Sequence, residues 1–170
     1  MFINTLPIIY TYTHLFSAVE AGLFITALFL LVYVYTPPSD RHWHEAKLPG
    51  WYLFLHAAWL GNAALWRAFW PFLVFVNGVL AYIDYRIDSL TYTVASWITV
   101  HFMLILPIVW WLVAVWRCTS HTRFRLFGCF ARTVTLCLII EFILRFIITV
   151  KYPNTFFDCH LMVVQFGDCL

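Results

Sequence analysis

The stretch Trp51–Ile83, WYLFLHAAWLGNAALWRAFWPFLVFVNGVLAYI, decides what kind of protein this chain makes. It carries one full charge, Arg67, near its middle. Roughly 33 residues of helix at about 1.5 Å each reach farther than the ~30 Å hydrocarbon core of a bilayer. The stretch therefore predicts a tilted membrane span, with Pro71 as the place for a bend. An arginine halfway along such a span needs an acidic partner or water. The other segments have to supply it.

Composition points the same way. The 170 residues are 64% hydrophobic and 11% charged, with a positive mean hydropathy. Soluble domains carry about 25% charged residues, so a water-exposed surface cannot be built from this inventory. Nine Trp and nine Tyr suit the belts where amphipathic rings sit at headgroup depth. A net charge of +2 with no basic run argues against a nucleic-acid partner. The opening MFINTLPIIY lacks the basic start of a signal peptide and the Arg/Ser-rich helix of a transit peptide, which predicts no cleaved leader. Such a start suits a bacterial inner-membrane protein or one made inside an organelle.

Four apolar segments, 8–35, 51–83, 91–116 and 133–150, are each long enough to span. They predict an all-α integral membrane protein of one domain with short connections. The first and third connections bring Arg41, Lys47, Arg117, Arg123, Arg125 and Arg132 to one face, against Arg86 and Lys151 on the other. The positive-inside rule then expects both termini on the outer side, meaning the intermembrane space or periplasm.

Depth along the spans suggests a polar layer. Counted from the inner ends, Glu20, Arg67, His101 and Arg145 all fall roughly 13–16 residues in, within about 5 Å of one another. Glu141 stands one turn from Arg145, on the same helix face. Ionisable groups at that depth should not face lipid. The structural reading pairs Glu20 with Arg67 and Glu141 with Arg145, with His101 as a hydrogen-bonded neighbour. The functional reading makes the same layer a proton or ion path, or the lining for a quinone headgroup.

Histidines raise the question of haem b, which four-helix membrane bundles clamp between two imidazoles at one depth. His56 lies about 16 Å in depth from His101 and fails that test; His14 and His101 differ by about 7.5 Å and remain the candidate pair. In the first connection Asp40, His42, His44 and Glu45 form DRHWHE, whose alternating histidines suit Zn or Cu if extended. The five cysteines include no C-x-x-C; Cys159 and Cys169 in the tail can close a disulfide on an oxidising side. No nucleophile elbow, P-loop, dinucleotide fingerprint or HExxH occurs.

Asp84–Tyr85 at a span end resembles the Asp-Tyr pair at the quinone site of the small succinate dehydrogenase anchor subunits. The resemblance covers two residues and implies Asp84 and Tyr85 as quinone-site candidates. Where that family carries a haem-binding histidine about three turns earlier, this chain has Phe72, Leu73 and Val74, and the expected topology puts Asp84 on the opposite side. TPP followed by PGWYLF is similar to segments of cytochrome b, with Gly50 in place of an acid and without the haem helices.

Taken together, these residues predict a small membrane-embedded subunit of a respiratory or related energy-transducing complex, mainly structural, in a mitochondrial or bacterial inner membrane. Its partners would be other membrane subunits and bound lipids, and it would contribute at most to a quinone or haem b site. A transporter or channel using the Glu/Arg/His layer, and a haem- or metal-containing membrane oxidoreductase, are the alternatives.

Overall fold

The computed structural model describes residues 17–39, 50–89, 91–122 and 124–151. Among them are five helices: α1 (Ala18–Tyr35), α2 (Trp51–Leu60), α3 (Leu65–Asp88), α4 (Val94–Cys118) and α5 (Arg125–Lys151). Four are long and apolar enough to cross a membrane: α1, α3, α4 and the Arg125–Thr149 part of α5. The expected all-α membrane architecture with four spans is therefore present, but the boundaries differ.

The largest correction concerns the deciding stretch. It is broken between Leu60 and Leu65 rather than bent at Pro71, which lies inside α3. The Asn62 N–H donates to Ala57 O at 2.8 Å and the Gly61 N–H to Ala58 O at 3.1 Å, the paired bonds that end a helix on a left-handed residue. Gly61 adopts φ 84° and ψ 14°. A Cβ there would stand 2.9 Å from the Arg117 Cβ, so both conformation and close approach of α4 demand glycine. The ten residues of α2 reach only about 15 Å, half a bilayer core. The second span is α3, and it carries Asp84, Tyr85 and Arg86 inside a helix where a connection was expected.

Two other boundaries move. As described, α1 starts at Ala18 behind a capping box: the Ser17 N–H donates to Glu20 Oε2 at 2.7 Å, and the Glu20 N–H to Ser17 Oγ at 3.2 Å. The earlier part of the expected 8–35 span lies outside the described residues. At the other end α5 begins at Arg125, about two turns before the expected 133, so Arg125 and Arg132 are helical residues.

The core lies among α3, α4 and α5, where Val76, Leu80 and Ile83 meet Trp97, Leu104, Trp111, Leu138 and Phe142. α4 touches α2, α3 and α5, whereas α1 packs along α5. Threonine hydroxyls within the spans donate to carbonyls one turn back, as Thr26, Thr99, Thr133 and Thr149 do. That satisfies a polar group where no water is at hand.

At one end of the bundle three arginines close the exposed carbonyls of helix C-termini. Arg117 Nη1 donates to Trp59 O at the end of α2 at 2.7 Å. Arg125 Nη2 donates to Tyr33 O and Val34 O at the end of α1 at 2.7 and 3.1 Å. Arg132 reaches Tyr35 O, Trp116 O and Thr119 Oγ1, joining α1, α4 and α5. Each guanidinium also lies over a ring, Trp59, Tyr33 and Trp116 respectively. Cations are favoured there because the last carbonyls of a helix carry partial negative charge. At the opposite end Arg86 ties the α3–α4 turn to Thr91 and Tyr82.

Candidate functional site

The charged centre of the molecule is built from α3 and α5, with α4 beside them. Counted from the arginine-bearing end, Asp84 lies roughly 19 residues along α3 and Arg145 roughly 20 along α5, so the two meet within about 2 Å of depth. Arg145 Nη1 donates to Asp84 Oδ1 at 2.8 Å and Nη2 to Oδ2 at 2.9 Å, a two-pronged guanidinium–carboxylate pair. Glu141, one turn back on α5, brings Oε1 to 3.5 Å from Arg145 Nε. The Arg145, Asp84 and Glu141 side chains are 1%, 9% and 3% exposed, so the cluster is closed to its surroundings. Asp84 sits in the last turns of α3, where the helix field disfavours an acid, and the bidentate arginine offsets that penalty.

His101 stands beside the cluster on α4, fully buried, close enough for Arg145 and Asp84 to act on it electrostatically. Its Nδ1 is 2.9 Å from Trp97 O; a carbonyl only accepts, so Nδ1 carries the proton. The ring is stacked on Trp97 at 3.8 Å between centroids and on Phe142 at 5.4 Å, with Phe146 edge-on at 5.8 Å. Aromatic side chains thus cover the imidazole on several sides.

The predicted residues divide clearly. Glu141 and Arg145 are in contact, and His101 is buried on α4 among Trp97, Phe142 and Phe146. The Glu20–Arg67 pair is not formed. Glu20 caps the start of α1 at an exposed position, through the Ser17 N–H and hydroxyl, and is no part of the buried cluster. Arg67 lies in the first turn of α3, exposed and over the Trp66 ring, because the break at Gly61 moves it from mid-span to a helix start. Asp84, singled out with Tyr85 as a quinone-site candidate, is held by Arg145, while Tyr85 is exposed on the outside of α3. His14, the Asp40–His42–His44–Glu45 group and the Cys159–Cys169 pair lie outside the described residues. Among the described residues no three His, Cys, Asp or Glu side chains gather to hold a metal ion.

The ion pair that sequence reasoning missed is Asp84–Arg145. Its signal was present in DYRID: an acid followed by a residue that could stay helical, four turns of apolar sequence after Arg67. Chemically, the cluster locks α3 to α5.

No protein-family model, curated protein or solved structure matches this chain. Its functional reading rests on its own geometry.

Proposed function

We propose that this protein is a small structural subunit in the membrane arm of a larger energy-transducing complex. The observation that supports this best is how the chain uses its charges. Asp84 and Arg145 hold α3 to α5, Arg125 and Arg132 hold α1 to α5, and Arg117 holds α2 to α4. These groups knit the spans together. Two cavities among the described residues, one at the start of α3 and α5 and one between α4 and α5, are lined by other side chains than Asp84, Glu141 and Arg145.

The outer surface fits the same role. Only 6% of the α1 span is buried within the chain, against 33% or more for each of the other three. Val19, Leu23, Phe24, Leu30 and Leu31 of α1 are all more than half exposed. On the side away from α5, such a helix offers an apolar face to a neighbouring subunit. In this reading the complex sits in a mitochondrial or bacterial inner membrane with both termini on the outer side.

Gentle solubilisation of native membranes, a native gel and mass spectrometry of the band test the proposal. Co-migration with dehydrogenase, cytochrome or ATP synthase subunits is expected. Migration as a lone chain with its detergent belt contradicts it.

A further inference from the structure

Asn77 stands halfway along α3, about 17 Å from either end of the helix. Its Nδ2 donates to Leu73 O at 2.7 Å, one turn back, and among the described residues the amide makes no other hydrogen bond. Threonine hydroxyls elsewhere in the spans use up their single proton in the same way. An amide does not, because it keeps a second N–H and a carbonyl oxygen with two lone pairs. Asn77 is half-buried, and its oxygen is open to the surroundings rather than sealed inside the bundle. At that depth hydrocarbon offers neither a donor nor an acceptor.

The surface around the amide suits another helix. Trp70, Val74, Asn77 and Ala81 follow one another at the 4-3-4 spacing of a helix-packing seam. Trp70 and Val74 are 55% and 64% exposed, and Ala81 is exposed too. The helix meets α4 through a different side, which carries Val76, Leu80 and Ile83. Next to the amide, Gly78 leaves the backbone bare, since a Cβ there would meet nothing within 4 Å. Small residues such as Ala81 and Gly78 let two helix backbones come close enough for polar side chains to bond across.

We propose that this face of α3 pairs with α3 of a second copy of the chain, inserted the same way round, with the two Asn77 amides bonded to each other. Depth selects the partner. A second copy brings an identical amide to an identical depth, and a two-fold axis along the membrane normal lets each N–H donate to the other's oxygen. In coiled coils a lone Asn at a seam position fixes register and oligomeric state in the same way. Acyl chains supply no such group. The pairing uses α3 and leaves the exposed side of α1 open, so it does not rest on the subunit reading, which the native gel tests separately.

The test is energy transfer between donor- and acceptor-labelled full-length chains in phosphatidylcholine vesicles, over a series of lipid-to-protein ratios. Transfer above that of randomly spread chains, fitted by a dimer, is expected. Asn77→Leu should weaken the association about tenfold, the scale of one or two interhelical hydrogen bonds. Asn77→Gln, which keeps the amide, should retain most of it. Ala81→Phe adds bulk to the seam at an exposed position and should weaken it with the amide intact. Circular dichroism checks that each variant keeps its helices. Transfer no greater than random in the parent chain overturns the proposal whether or not any variant folds. Association unchanged by Asn77→Leu, or weakened equally by Asn77→Gln, also overturns it. A photoreactive residue at Val74, activated in native membranes, separates a second copy from a foreign helix. A cross-linked pair of this chain supports the proposal, and adducts with other proteins alone overturn it.

Discussion

Removing the guanidinium of Arg145 should be the most damaging single change in the buried cluster. Arg145→Met leaves the Asp84 and Glu141 carboxylates facing each other's field inside the bundle with their shared cation gone. Ordinary interhelical hydrogen bonds in membranes average about 0.6 kcal/mol, because the unfolded segments also find partners in lipid. An uncompensated charge at depth costs more, about 2.5–3.5 kcal/mol, near the ~3–5 kcal/mol for breaking a buried ion pair elsewhere. The charge effect therefore decides, and about 3 kcal/mol is expected. Asp84→Asn should cost less, about 2 kcal/mol, because Glu141 remains 3.5 Å from Arg145 Nε. Glu141→Gln should cost least, about 1 kcal/mol or below, since the bidentate Asp84 contact survives. Replacing the whole cluster, Asp84→Leu and Glu141→Gln with Arg145→Met, should recover much of the loss by removing both stranded charges. Equilibrium unfolding by SDS in mixed micelles, followed by tryptophan fluorescence, measures all four. An Arg145→Met variant as stable as the parent, or a Glu141→Gln variant more damaged than it, refutes the reasoning.

Gly61→Ala should destabilise by about 1–3 kcal/mol, from a left-handed backbone and a Cβ placed 2.9 Å from that of Arg117. Gly22→Ala, with nothing within 4 Å, should be neutral or slightly stabilising in the same SDS titration. Arg132→Gln should loosen α1 from α5 by about 1–3 kcal/mol, since three acceptors lose a charged donor. The fully buried Cys129, whose Sγ is 3.4 Å from Phe29 O, should then react faster with a maleimide. His101→Phe should cost about 1 kcal/mol or less in stability, because the stack on Trp97 and Phe142 is kept and one hydrogen bond is lost.

The sequence made the solvent legible because composition alone rules out a watery surface, and hydropathy located four spans. It also marked Glu141 and Arg145 as neighbours, since i,i+4 spacing on a helix is a local property. The position of the second span was not legible by the same means. Gly61, Asn62, Ala63 and Ala64 carry no charge, so hydropathy runs smoothly across a break that backbone geometry makes. Counting depth from Trp51 placed Arg67 in the layer. Counting from Leu65 puts Arg67 at a helix start and brings Asp84 level with Arg145. The arginines of the third connection carried a second meaning as well. Three of those used to orient the chain, Arg117, Arg125 and Arg132, also close helix C-termini, a role that depends on which carbonyls are left unpaired once the helices are assembled.

The central claim is that this chain is a structural subunit, and the exposed face of α1 is where that claim is most directly measured. A photoreactive residue at Leu23 or Leu30, activated in native membranes, should form adducts with specific membrane proteins that mass spectrometry identifies. Adducts with lipid alone from both positions would contradict the account.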